Sequence, residues 1–169
     1  MNVARSFVGG CGTQAAGLIV GGNGTATTEE FDGTDWAAGT AIPTASSGTG
    51  SISGIQTAAL LYGFTTPPPA QFANPLKYDG STFTAAPSLG NGRQNGTRAG
   101  TTSAALAFQG NAGSGQNYTE EFNSSTNIVT GAAWASGGNL NTARDEAASS
   151  QNGTQDAALY FGGYDGSSK

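Results

Sequence analysis

The stretch Gly12-Thr13-Gln14-Ala15-Ala16-Gly17-Leu18-Ile19-Val20-Gly21-Gly22 decides the fold, because variants of it recur along the chain. It returns as Gly54-Ile55-Gln56-Thr57-Ala58-Ala59-Leu60-Leu61-Tyr62-Gly63 and as Gly100-Thr101-Thr102-Ser103-Ala104-Ala105-Leu106-Ala107-Phe108-Gln109-Gly110. A fourth copy reads Gly153-Thr154-Gln155-Asp156-Ala157-Ala158-Leu159-Tyr160-Phe161-Gly162-Gly163. The starts lie 42, 46 and 53 residues apart. Self-similarity at such a period marks a repeat architecture, in which each unit buries its apolar face against its neighbours.

Two further blocks keep step with the first. Glu29-Glu30-Phe31-Asp32-Gly33, Leu76-Lys77-Tyr78-Asp79-Gly80 and Glu120-Glu121-Phe122-Asn123-Ser124 follow its first three copies. An aromatic then stands 6 residues before an aliphatic: Trp36 before Ile42, Phe83 before Leu89, Trp134 before Leu140. Arginine comes four residues after the aliphatic, at Arg93 and Arg144, and Arg5 stands in the same relation to Met1. Ser46 occupies the place of the missing arginine. The approximate repeats are 5–45, 46–92, 93–143 and a half-repeat 144–169, within a single repeat domain 1–169.

Each repeat therefore offers four segments. Short apolar runs bounded by Gly, Asn and Ser read as strands, and no segment sustains a helical period. Segment one follows the arginine and alternates weakly, as in Ser6-Phe7-Val8. Segment two is the Ala-Ala-Leu run, and segments three and four meet at the Asp32-Gly33 and Asp79-Gly80 turn signals. Sheets gathered about an axis crowd at the middle, where the Ala-Ala pairs of segment two would let them approach. Gly21, Gly22, Gly162 and Gly163 end the apolar runs where positive φ or close passage of backbone is needed. Phe31, Trp36, Tyr78, Phe83, Phe122 and Trp134 supply bulk for packing between repeats. The expected class is all-β, with four-stranded antiparallel sheets and about 3.5 repeats.

Composition narrows the function. Glycine supplies 28 of 169 residues, charged residues are 10%, histidine is absent and Cys11 is alone. A disulfide framework, a Cys/His zinc site and any histidine base are thereby excluded. Six basic residues against 11 acidic give a net charge of −5. The cations are scattered, so there is no footprint for nucleic acid. No apolar run approaches the roughly 20 residues of a membrane helix, and residues 1–10 lack the pattern of a signal peptide.

The run Leu18-Ile19-Val20-Gly21-Gly22, with Phe31 and Trp36 following, resembles the kelch repeat of β-propellers. Tyr160-Phe161-Gly162-Gly163 matches the first half of that signature, and the leading arginines fit it too. The second repeat departs with Gly63-Phe64 and Phe83, the third with Gln109-Gly110 and a longer gap from Phe122 to Trp134. The resemblance covers essentially the whole chain and implies a kelch-like propeller or a segment of one. The Gly/Thr/Ala-rich phrasing is similar to kelch-like repeats of tailed-phage and other virion proteins. That resemblance implies a non-enzymatic structural or binding module of a virion or cell surface. Its partners would be protein subunits, its own or others, and glycan, with no cofactor. One alternative is a carbohydrate-active propeller enzyme using Asp, Glu, Arg and Tyr; another is an intracellular kelch adaptor. Three and a half repeats imply either part of a longer propeller, closure with other copies, or a compact four-bladed ring, and the first two are favoured. An open array would leave an apolar face unpaired at each end.

Several residues invite chemistry. Glu29-Glu30 and Glu120-Glu121 look like carboxylate pairs, but adjacent strand residues point to opposite faces, which favours a structural role. Arg5, Arg93 and Arg144 could ring an anionic ligand, as arginines do in sialidase propellers. The alternative, which is favoured, is that each braces adjacent repeats against a repeat glutamate. Galactose-oxidase-like copper chemistry needs histidine and is unavailable. Cys11 reads as a small core or loop residue. Gly21-Gly22-Asn23-Gly24 lacks the lysine of a phosphate loop. Asn23, Asn95, Asn117, Asn123 and Asn152 begin N-x-S/T triplets and mark surface loops. The binding candidates are loops of unequal length after segment two, expected on one edge of the scaffold. Pro67, Pro68, Gln71 and Phe72 represent one, and Gln116, Asn117 and Tyr118 the other.

Overall fold

A computed structural model describes residues 1–46, 50–66, 70–71, 74–124, 133–143, 148–149, 154 and 157–164. The chain is all-β, with no helix among the described residues. The first sheet holds β1 (Gly9–Thr13), β2 (Ala16–Val20), β3 (Thr28–Phe31) and β4 (Trp36–Ala38) in sequence order. The second holds β5 (Ser51–Ile55), β6 (Ala58–Tyr62), β9 (Leu76–Tyr78) and β10 (Phe83–Ala85). Between β6 and β9 the chain adds a small hairpin, β7 (Thr65–Thr66) and β8 (Ala70–Gln71). The third sheet holds β11 (Thr97–Gly100), β12 (Ala104–Phe108), β13 (Thr119–Asn123) and β14 (Ala133–Ser136). A two-stranded sheet, β15 (Ala148–Ser149) with β16 (Tyr160–Phe161), follows. Every pairing is antiparallel.

Two apolar layers hold the sheets together. Leu18, Val20 and Ile42 meet Ile52, Ala59, Leu61, Phe64 and Tyr78 between the first and second sheets. Leu60, Tyr62 and Leu89 meet Ala105, Ala107 and Phe122 between the second and third. Because side chains alternate along a strand, β6 sends Ala59 and Leu61 into one layer and Leu60 and Tyr62 into the other. A strand covered on both faces reads as a continuous apolar run, which is what Ala59-Leu60-Leu61-Tyr62 is.

The recurring block proves to be a hairpin rather than a lone strand. Gly12, Gly54 and Gly100 close the first strand of each sheet with φ of 117°, 109° and 98°. A Cβ there would stand 2.1, 2.2 and 2.1 Å from the carbonyl oxygens of Ala16, Ala58 and Ala104. Only glycine permits so tight a return.

Two expectations are corrected. Segment one does not begin at Ser6-Phe7-Val8: the strand is Gly9–Thr13, and Phe7 lies before it at φ 57°, 63% exposed. The crowded middle is lined by first strands, not by the Ala-Ala pairs. β1 lies beside β5, β5 beside β11, and β11 beside β15. Arg98 of β11 reaches across to donate to the Gly10 carbonyl of β1 at 2.7 Å. A Cβ on Gly9 would meet the Gly50 carbonyl oxygen at 2.8 Å. Glycine and serine stand there because larger side chains would hold the strands apart. Ala59 and Ala105 sit one strand further out, each buried against the preceding sheet.

Candidate functional site

Two arginine–glutamate pairs tie the linkers that enter the first and third sheets to those sheets. The Arg5 guanidinium donates to Glu29 at 2.6 Å and to the carbonyls of Gly21 (2.9 Å) and Thr27 (2.7 Å). Glu29 also accepts from the Asn2 N–H at 2.6 Å. Arg93 repeats the arrangement: it pairs with Glu120 and donates to the carbonyls of Gln109 (3.3 Å) and Tyr118 (2.9 Å). Glu120 accepts from the Gly90 N–H (2.7 Å) and the Asn91 N–H (3.3 Å). All four charged side chains are buried. Burial works against the Glu29 charge, yet the Asn2 N–H, the Arg5 guanidinium and the Val3 N–H hold its carboxyl below the usual range.

Arg5 and Arg93 are thus each held in a buried pair rather than turned to an open ring, and the brace they form differs from the one expected. Each partner glutamate belongs to the sheet the arginine introduces, not to a neighbouring repeat. Arg144 lies outside the described residues. The second repeat lacks both members at once: Ser46 stands for the arginine, and Leu76 stands where Glu29 and Glu120 do. Ser46 instead exchanges backbone hydrogen bonds with the preceding loop, to the Thr25 carbonyl (2.9 Å) and from the Gly24 N–H (3.0 Å). The other glutamate of the first pair, Glu30, turns to the opposite face and accepts from the Tyr78 hydroxyl of the second sheet.

The two candidate loops meet on the same edge as these clasps. The Thr65 hydroxyl, at the base of the β7–β8 hairpin, bonds the Gln94 side chain. Gln94 pairs through its backbone with Asn111, N–H to carbonyl in both directions at 3.0 and 2.8 Å. Asn111 opens the second loop, where its side chain accepts from the Gly113 N–H at 2.7 Å. Gln116 donates from its backbone to the Gly110 carbonyl and from its side chain to the Ser114 carbonyl, each at 2.8 Å. Asn117 and Leu140 exchange bonds at 3.2 and 3.0 Å. Tyr118 is 40% exposed, while its carbonyl is the one that Arg93 holds. The buried ion pair therefore fixes the backbone under an exposed aromatic. Gln71 lies in β8, paired with Thr65; Pro67, Pro68 and Phe72 lie outside the described residues. Gln94 was not singled out from the sequence, although its place directly after the repeat arginine was a usable signal.

The remaining polar groups have local work. Asp32 accepts from the Thr34 and Asp35 N–H groups, both at 2.9 Å, and Asp79 from those of Ser81 (2.9 Å) and Thr82 (2.7 Å). These bonds hold both carboxyls below their ordinary value. Asn23 and Asn95 occupy turns at φ 52° and 53°, whereas Asn123 ends β13 and so lies in a strand rather than a loop. Cys11 is within β1, packed against the first apolar layer, and burial pushes its thiol up to about 11 against the pull of Arg98. Among the described residues no three His, Cys, Asp or Glu side chains converge as metal ligands.

A pH dependence follows. Glu29, Asp32 and Asp79 ionise more readily folded than unfolded, so their stabilisation is present above the ordinary values of 4.5 and 3.8 and fades as pH falls through the lower folded values. With no histidine to titrate, the melting temperature is expected to be flat from about pH 5.5 to 8 and to fall below about pH 4.5. A decline that sets in between pH 6 and 7 would contradict this assignment.

No known protein family and no curated protein matches the sequence. Solved structures do resemble it, 130 chains in all, so the arrangement is a recurring one. YjhT superposes on 87% of this chain with a TM-score of 0.70 at 13% identity. The chain spans about half, 55%, of YjhT's length. At that identity the likeness establishes a shared fold: repeated antiparallel sheets stacked face to face in chain order.

Proposed function

We propose that this chain is a kelch-like propeller segment acting as a non-enzymatic binding and structural module, of the kind found on virions and cell surfaces. The observation that carries the reading is the meeting of the 65–71 and 111–118 loops through Gln94, on a scaffold braced beneath them by Arg93 and Glu120. Rigid sheets with adjacent loops of unequal length are a common way to build a recognition surface. The loops offer amides, hydroxyls and the Tyr118 ring. That chemistry suits a neutral glycan, whose hydroxyls hydrogen-bond to amides and whose ring faces stack on aromatics.

Five of the described carboxylates are committed to local structure, which supports binding over hydrolysis. Glu29 and Glu120 are neutralised by buried arginines, Glu30 bonds Tyr78, and Asp32 and Asp79 cap hairpins. A glycosidase needs two carboxyls facing one bond across a pocket. The test is titration of the chain with neutral hexose and N-acetylhexosamine oligosaccharides, followed by calorimetry and by chromatography of the sugars. Saturable binding is expected, weakened at least about 5-fold by Tyr118→Ala, since one stacked aromatic contributes about 1–3 kcal/mol in comparable ring stacking. Cleaved oligosaccharide would replace this reading with an enzyme. No binding to any of the sugars would remove glycan as the ligand.

A further inference from the structure

Three substitutions in the second repeat fall on one place. In the first and third sheets the glutamate takes an arginine and a linker N–H. Glu29 holds Arg5 and the Asn2 N–H, and Glu120 holds Arg93 and the Gly90 N–H. At the three matching positions the second repeat has Leu76, Ser46 and Pro43. Proline has no N–H, so the acid, the base and the backbone donor are lost together. Losing one alone would strand a buried polar group, whereas losing all three turns the place from polar to apolar.

What stands there instead is a cavity of about 80 Å³ between the linker and the second sheet. Its floor is Ile42, Phe64, Pro75 and Leu76, of which the first three are buried. Its mouth is bordered by the exposed residues Pro43, Thr44 and Ala85, and by Asn74, which stands at the repeat position of Tyr118. The walls are carbon, so a polar group inside would lose its water and gain no partner. A cavity of about 150 Å³ accepts benzene, so this one holds about three or four carbon atoms and no aromatic ring. The mouth differs from the floor. The Asn74 side-chain oxygen accepts from the Ser88 hydroxyl at 2.8 Å, so Asn74 offers N–H donors there, beside the Thr44 hydroxyl.

We propose that this pocket, left where the other two sheets have a buried ion pair, receives a valine or leucine side chain of a protein partner. An isopropyl or isobutyl group matches both the volume and the carbon lining. The donors at the mouth suit the backbone carbonyls that flank such a side chain in a peptide. A pyranose ring is too large, so this subsite is separate from any glycan held at Tyr118. Filling the void gives its lining the dispersion contacts it lacks. A small dry centre ringed by polar groups is also how interface anchors are built.

The test is NMR of the Ile42 and Leu76 methyl groups during titration with blocked single amino acids. The N-acetyl amides of valine and leucine are expected to shift both sets of methyls saturably. Those of glycine and phenylalanine, one without the aliphatic group and one too large, are expected to bind at least about 5-fold more weakly. Ala85→Leu puts a larger side chain at the mouth and is expected to weaken the leucine amide at least about 5-fold, while Tyr118→Ala leaves it unchanged. Circular dichroism confirms an unchanged β spectrum, and if Ala85→Leu loses it, Thr44→Leu replaces that variant with the same expectation. Shifts that do not saturate, a glycine amide that binds as well as the leucine amide, or undiminished binding in the blocked variant would overturn the proposal. Loss of binding in Tyr118→Ala would place the ligand at the loops and overturn it too.

Discussion

Arg93→Met is expected to destabilise the chain by about 3–5 kcal/mol, and Glu120→Leu by a similar amount, because each strands a buried charge. The double variant is expected to cost clearly less than the sum, with an interaction of about 2–3 kcal/mol in the cycle. Removing both charges leaves no ion uncompensated in the interior. The second repeat has made this change already. With Ser46 and Leu76 in the two places, the linker there is held by backbone bonds to Thr25 and Gly24, and the sheet still forms. Urea midpoints of the four proteins measure the cycle. Strictly additive costs, or single changes below about 1 kcal/mol, would mean that water reaches the pair and screens it. The same substitutions bear on the loop, since Arg93 also holds the Tyr118 carbonyl. Arg93→Met should therefore weaken any ligand bound at Tyr118, while Arg5→Met, two sheets away, should not.

Much of the fold was legible because three segments of each repeat carry its chemistry openly. Leu-Ile-Val and Leu-Leu-Tyr announce strands buried between sheets, and Asp32-Gly33 and Asp79-Gly80 announce turns whose carboxylates cap their own backbone. The first strand was less legible. Gly9-Gly10-Cys11-Gly12 and Ser51-Ile52-Ser53-Gly54 have little apolar alternation, because they lie where neighbouring strands crowd and bulk is excluded. The junction between Thr65 and the 111–118 loop did not show in the sequence. It depends on Gln94 touching Thr65 from 29 residues away and on its backbone pairing with Asn111. The arginine partners were hidden for a similar reason, since which sheet supplies the glutamate is set by the path of the linker. One signal was available all the same: the only complete repeat without the arginine is also the one without the glutamate.

Phe122→Ala and Phe31→Ala remove the same side chain from the same repeat position, and they are expected to differ in effect. Phe122 is wholly buried between the second and third sheets, among Leu60, Tyr62 and Leu89, with the Lys77 ammonium 5.2 Å from its ring centroid. Its removal opens a cavity and is expected to cost about 3–5 kcal/mol, independent of protein concentration. Phe31 is half-buried on the outer face of the first sheet, its ring 5.2 Å from that of Trp36. Removing it from an isolated chain is expected to cost no more than about half as much, because less apolar area leaves contact. If a second copy covers that face, the Phe31→Ala cost grows with protein concentration, since a partner that binds only the folded chain adds its stabilisation by mass action. Denaturation of both variants across a hundredfold range of concentration separates the cases. A Phe31 cost equal to that of Phe122 even at the highest dilution would mean that the first sheet's outer face is buried within one chain. A small cost that never changes would mean that it stays open to water.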